Sequence, residues 1–415
     1  MAVVKAFRGL RPLTKKVGEV ASPPYDVLNS DEARQRAKDN PISFLHVIKP
    51  EIDFDPGVDQ YSKKVYEKGG ENLTNLINNG ILNQDQKPCY YIYKLKMRGR
   101  EQVGLVACAS VDDYINDRIK KHEFTRPKKE EDRLNHIDHL NAQTGPVFLT
   151  YRADREINNL INEAMEAEPV YDFIGDYDVQ HTLYIVDDEQ LIHKIKSAFD
   201  DIEALYVADG HHRSAAASRL RKLRKDNNPD HTGDEEYNYF LSVIFPHDQM
   251  HILDYNRVVK DLHGMAEQEF IDKVTEMFEV KEYNKNEPFK PQKVHEFGMY
   301  ISGKWYQLKA KKEIFDDSDP IERLDVAILQ NNILEKFLGI TDPRNDERID
   351  FVGGIRGLKE LEKRVDEGGY KVAFSLYPTT IDQLLSVADA GKVMPPKSTW
   401  FEPKLCSGVV IHKLG

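Results

Sequence analysis

The stretch LYVADGHHRSAAASRLRKL, Leu205 to Leu223, decides the reading of this chain. An apolar run rich in β-strand formers ends at Asp209-Gly210, and two histidines, an arginine and an alanine-rich helical segment follow. The pattern predicts a buried strand over Tyr206-Val207-Ala208, a tight turn at Asp209-Gly210, and a helix over 211–225. The first turn of a helix leaves backbone N–H groups unpaired and presents the positive end of the helix dipole. Such a terminus is an anion site before any side chain is counted. Gly210 lets backbone approach a ligand closely or take a positive φ. His211, His212 and Arg213 add donors at the same place, and a guanidinium grips phosphate oxygens bidentately. Ala215, Ala216 and Ala217 keep the helix slim enough to pack close to a sheet. Asp209 is the odd member, because a carboxylate repels an anion. It caps the helix, binds Mg²⁺, or accepts a proton.

Working outward, strands alternate with helices. GPVFLTY, HTLYIVD, EALYVA and YFLSVIF read as strands, with helices over 155–167 and 188–199 between them. YYIYKLKMRGREQVGLVACAS reads as a hairpin turning at Arg98-Gly99-Arg100, and HEFTRPKKEEDR as a loop leading into a charged helix at Pro127. Ser30 is the expected cap of a short early helix, and residues 59–79 read as another. The expectation is an α/β protein with a mixed sheet, divided near residue 265 into segments 1–265 and 266–415. The second segment holds helix 357–367, strand KVAFSLYP, helix 380–389, the loop MPPKSTWFEPK and a last strand GVVIH.

A chain of 415 residues is long enough for two or three domains, and 40% hydrophobic content is that of a globular protein. The net charge of −12, from 58 basic against 70 acidic residues, argues against a nucleic-acid partner. Cys89, Cys108 and Cys406 are scattered and form no CxxC pair, which fits a reducing compartment. No apolar run approaches the roughly 18–20 residues of a membrane span, so a cytoplasmic protein without membrane partner is expected. His136 and His139 stand at i, i+3, but no HExxH-like pattern supports a metal there. Gly353 and Gly354 in FVGGIRG fit close strand–helix packing better than a phosphate loop. In MPPKSTWF, Pro395-Pro396 stiffens a loop that presents Lys397, Ser398 and Thr399. That is either an anion-binding edge or a rigid surface turn. SPPYDV presents Tyr25 and Asp26 with the same two readings, and HEFTRPKK offers cations for a second phosphate.

DGHHR opening a helix after a strand resembles the phosphate-binding box of the ParB/sulfiredoxin superfamily, specifically its free-serine kinases. KVAFSLYPTTIDQLLSVADAGKVMPPKSTWFEPK is similar to the C-terminal strand–helix–loop of those kinases. VASPPYDV, HEFTRPKKEEDR, GPVFLTY, ADGHHR, ILDYNRVVKDL, RIDFVGG and MPPKSTWFEPKL resemble, in order, the domain-of-unknown-function-1015 family over nearly the whole chain. The resemblance implies a ParB/sulfiredoxin-like nucleotide-binding core with an added α/β C-terminal region. It implies that Gly210, His211, His212 and Arg213, with Ser214 beside them, hold the phosphates of ADP or ATP. Asp209 would lie at the reacting phosphoryl group or its Mg²⁺, and Lys397, Ser398 and Thr399 near the amino-acid substrate. The catalytic acid of the kinases lies near the first proline-bearing loop, where Asp26 is the candidate and Glu19 stands behind it. His212 joins Asp209 and Asp26 as a catalytic candidate. The implied activity is phosphoryl transfer between a nucleotide and serine or O-phosphoserine. The rival is a nucleotide-responsive binding or scaffold protein without transfer.

Overall fold

The computed structural model describes residues 2–415. Two compact units divide the chain. One comprises residues 1–250 and 403–415, the other 251–402.

The first unit is built on a nine-stranded mixed sheet. Its strands are β1 (Val4–Lys5), β2 (Tyr90–Met97), β3 (Arg100–Ser110), β4 (Ile119–Lys120), β5 (Val147–Tyr151), β6 (Tyr171–Ile174), β7 (Gln180–Val186), β8 (Leu205–Asp209) and β9 (Tyr239–Pro246). They lie in the order β4-β8-β5-β9-β3-β2-β7-β6, with β1 added to β3. The pairs β8–β4 and β9–β5 are parallel and the others antiparallel. The β2–β3 hairpin turns on two residues, Arg98 and Gly99, both at positive φ, which is the turn whose twist matches the strands. Asp154 and Asp188 cap helices Arg155–Ala164 and Glu189–Asp200, whose apolar faces (Ile157, Leu160, Ile161; Ile195, Phe199) enter the core against the sheet. The early helix runs Ser30–Ala37, and its cap is Asn29 rather than Ser30. The Asn29 side chain accepts from Glu32 N–H and the Glu32 carboxylate answers at Asn29 N–H, a reciprocal box that serine one residue later does not form.

Two helices frame the decisive stretch: α1 (Pro127–Leu140) and α2 (His211–Asp226). Pro127 opens α1 at the position where a missing N–H costs nothing. Ala215, Ala216 and Ala217 are buried, and Ala216 and Leu220 of α2 pack with Leu134 and Ile137 of α1. The register between β8 and β5 shifts between Val207 and Asp209, an irregularity of the kind that re-aims the residue after it. Residues His412–Lys413 pair with Ala142–Gln143, which brings the end of the chain back into this unit. The expected last strand is reduced to that short ladder.

The second unit carries a six-stranded antiparallel sheet. Its strands are β10 (Tyr255–Val259), β11 (Phe278–Tyr283), β12 (Glu296–Ile301), β13 (Lys304–Ala310), β14 (Ile349–Gly353) and β15 (Val372–Leu376), in the order β11-β13-β12-β15-β10-β14. Residue 265, where the sequence reading places its boundary, follows the first of these strands. No helix is long and apolar enough to cross a membrane among the described residues.

Candidate functional site

Gly210 is the N-cap of α2, in the left-handed region at φ 98°, and no side chain caps the helix. A Cβ there would lie 3.0 Å from Arg213 Nε, so the glycine also makes room for that guanidinium. Arg213 folds back over the turn: its Nη1 donates to the Pro146 carbonyl, and its Nη2 lies 3.9 Å from Asp209 Oδ1. Gly145 lies alongside, and a Cβ there would be in ordinary contact with Arg213 Cδ at 3.6 Å.

Asp209 does not cap the helix. Its Oδ2 accepts a hydrogen bond from Lys404 Nζ at 3.0 Å. Burial alone would push this carboxyl up, but Lys404 and Arg213 outweigh it and hold the carboxylate well below its usual range. Asp209 is therefore an anchored anion that fixes two cations at the mouth of the helix, and a weak proton acceptor. No group of three or more His, Cys, Asp or Glu placed to hold a metal ion occurs among the described residues. With Asp209 already serving two cations, the donor set does not fit a resident Mg²⁺.

The two histidines differ. His211 is 4% exposed, and its ring stands perpendicular to that of His122, itself 1% exposed, at 4.5 Å between centroids. His211 Nδ1 faces Glu123 Oε2 at 3.8 Å, while His211 Nε2 and both nitrogens of His122 lack hydrogen-bond partners. Burial pushes both histidines down, His122 to about 4, so both are neutral at pH 7. His212 is half-buried, and its Nε2 accepts the Arg126 N–H at 3.1 Å, which places its own proton on Nδ1. Burial first, then Arg126 and Lys129, lower its pKa, while Glu130 and Asp26 act against them. With its Nε2 lone pair taken, His212 ties the TRPKK loop to the DGHHR turn. Ser214 is fully buried and bonds back to the carbonyls of Gly210 and His211, facing the core.

Asp26 is exposed, and its charge is felt at Tyr25 as well as at His212. Glu19 pairs with Lys16 at 2.8 Å on an exposed turn. His136 bonds the Val47 carbonyl and His139 the Asn135 carbonyl, so their spacing serves helix packing. Lys397, Ser398 and Thr399 lie in the second unit. Lys397 has φ 58°, and its carbonyl accepts from Arg257; Ser398 is buried and its hydroxyl donates to the Pro395 carbonyl at 2.6 Å. The sequence reading took His122 only as part of the HEFTRPKK loop and did not single out Lys404. Lys404 stands 195 positions from Asp209, and no local spacing signals that pairing.

The family described as Protein of unknown function (DUF1015) matches residues 4–327. No curated protein matches the chain. Among solved structures the chain is similar to a conserved hypothetical protein from Pyrococcus furiosus, at 15% identity and TM-score 0.33, covering 72% of this chain and 90% of that one. It is also similar to a free serine kinase in complex with AMP, at 14% identity and TM-score 0.35, covering 72% and 86%. A third is SbnI with C-terminal truncation from Staphylococcus aureus, at 12% identity and TM-score 0.37, covering 73% and 85%. Matched over residues 4–327, the chain belongs to the DUF1015 family.

Proposed function

We propose that this protein is a phosphotransferase that moves a phosphoryl group between a nucleotide, ATP or ADP, and a small hydroxy amino acid, with serine and O-phosphoserine as the pair. The observation that carries the reading is the uncapped start of α2, where Gly210 at positive φ stands beside Arg213 and Lys404, both held by Asp209. Phosphoryl transfer asks a protein mainly for positioning and for cations around the phosphates. The backbone N–H groups after Gly210, with Arg213 and Lys404, supply both. Mg²⁺ enters as part of the nucleotide substrate, bound to its phosphates.

In the forward direction the substrate hydroxyl oxygen bonds to the terminal phosphorus of the nucleotide. The bond to the bridging oxygen breaks, and its electron pair leaves with the shortened nucleotide. The hydroxyl proton passes to a carboxylate. Asp26 takes that role, because Asp209 is committed to Lys404 and Arg213 while Asp26 is exposed and electrostatically close to His212. His212 is a positioning residue that fixes the loop before α1. Purified protein incubated with ATP or ADP, Mg²⁺ and serine, followed by ³¹P NMR, tests the reading. O-phosphoserine is expected, and Arg213→Ala is expected to cut its rate by about 10²-fold or more while the fold persists. Nucleotide binding without any transfer would replace this reading with that of a nucleotide-responsive binding protein.

A further inference from the structure

The segments ILDYNRVVKDL, RIDFVGG and MPPKSTWF meet within the second unit, and the phosphate reading uses none of them. Arg257 of β10 stands where they meet. It is 3% exposed, and no carboxylate pairs with it among the described residues. Its Nη1 donates to the Tyr255 carbonyl and its Nη2 to the Lys397 carbonyl at 2.9 Å. The guanidinium lies 5.3 Å from the centre of the Phe351 ring. Burial pulls it down to about 10, so it keeps its charge at pH 7. Trp400 fills the hollow at Gly353, where a Cβ would stand 2.9 Å from Trp400 Cδ2, and its ring meets Tyr255 edge-on at 5.1 Å.

The loop after Pro396 is fastened from the inside, through its carbonyls. Arg257 holds the Lys397 carbonyl, the Thr379 hydroxyl donates to the Ser398 carbonyl at 2.8 Å, and the Ser398 hydroxyl donates to the Pro395 carbonyl. Lys397 sits at φ 58°, a conformation that residues with a Cβ seldom take. Lys397 is exposed, with its ammonium 5.6 Å from the centre of the Tyr255 ring. Neither that ammonium nor the Thr399 hydroxyl makes a hydrogen bond or ion pair among the described residues. A plain surface turn needs none of this. A buried guanidinium without a carboxylate and a strained backbone both work against folding, and such features persist where function holds them. An ammonium beside a hydroxyl on a preset backbone is suited to an oxyanion.

We infer that Arg257 is a positioning residue: by holding the Lys397 carbonyl it sets the Lys397 ammonium and the Thr399 hydroxyl as an edge that receives an oxyanion of the small substrate. The inference rests on the phosphotransferase reading and names a residue of its substrate side. The oxyanion is a carboxylate or a phosphoryl group, and O-phosphoserine carries both. Arg257 itself does not touch it; it acts through Lys397.

The test is calorimetry on the full chain with four ligands. Serine has the carboxylate alone, phosphoethanolamine the phosphoryl group alone, O-phosphoserine both and ethanolamine neither. Lys397→Met is expected to weaken O-phosphoserine binding about 10- to 100-fold, the loss of a charge-assisted hydrogen bond. Whichever of serine and phosphoethanolamine weakens with it names the oxyanion. Arg257→Met is expected to reproduce that loss while ADP affinity is unchanged. Its melting temperature is expected to hold or rise, because an apolar side chain replaces a buried ion that has no carboxylate. The double variant is expected to bind no more weakly than Lys397→Met alone, whereas an arginine with a separate role would add its own loss. If Arg257→Met does not fold, Arg257→Lys takes its place with the same expected loss, since one ammonium lacks the fork that spans two carbonyls. Unaltered O-phosphoserine binding in Lys397→Met, or losses that add in the double variant, overturns the inference. Should ³¹P NMR show no transfer, the phosphotransferase reading fails by itself, and these binding measurements still decide the edge.

Discussion

At the scale of the residue, the site pairs neutral histidines with committed charges. His122 and His211 of the site are buried, as are His136 on α1 and His181 on β7; burial pushes His122, His136 and His181 to about 4, 3 and 4, and His211 well below its ordinary value. In the unfolded chain each titrates near 6.5. Between those values and 6.5 the unfolded state binds more protons, so stability is lost as pH falls through that window. A buried histidine of this kind costs about 1.4 kcal/mol per pH unit there. Urea denaturation at pH 7, 6 and 5 is expected to record that fall. His122→Leu is expected to flatten it by about 1 kcal/mol per pH unit without lowering stability at pH 7, because neither ring nitrogen makes a hydrogen bond. An unaltered pH slope in the variant contradicts this account. Residue types alone identified Gly210, His211, His212 and Arg213 as one cluster. They left Asp209 between cap, metal ligand and base, because its partner Lys404 is invisible to local spacing.

At the scale of the element, strand followed by turn and helix was legible wherever apolar period and turn chemistry agreed. The run into Asp209-Gly210, the β2–β3 hairpin and the helix at Pro127 are such cases. Strand β11 escaped because it follows the helix Glu267–Met277 directly at Phe278, with no glycine or proline to punctuate the change. Strand β6 escaped because it is an edge strand of four residues, too short for its alternation to stand out in the sequence. The turn before α2 yields a direct prediction. In Gly210→Ala the added methyl meets φ 98° and the Arg213 guanidinium at once. Stability is expected to fall by about 1 kcal/mol or more. Transfer is expected to fall by at least tenfold as Arg213 moves. Thermal melts and the ³¹P assay check both effects, and unchanged turnover would show that the guanidinium's placement is immaterial.

At the scale of the whole molecule, the first unit is discontinuous, and its last segment supplies a residue to the candidate site. The His412–Lys413 ladder returns the chain beside Ala142–Gln143, and Lys404 reaches Asp209 on the way. Sequence reading does not see that closure, because it depends on pairings across some 270 positions. Lys404→Met keeps much of the side chain's length and removes the charge. It frees Asp209 toward its ordinary range and is expected to weaken nucleotide binding by about tenfold in a calorimetric titration, a loss that equal affinity would refute. The central claim is that nucleotide phosphates settle on the start of α2, and amide NMR during an ADP titration tests it most directly. The account predicts that the resonances of Gly210, His211, His212 and Arg213 shift saturably with ADP and stay in place with adenosine. Shifts confined to other residues, or equal shifts with adenosine, would contradict it.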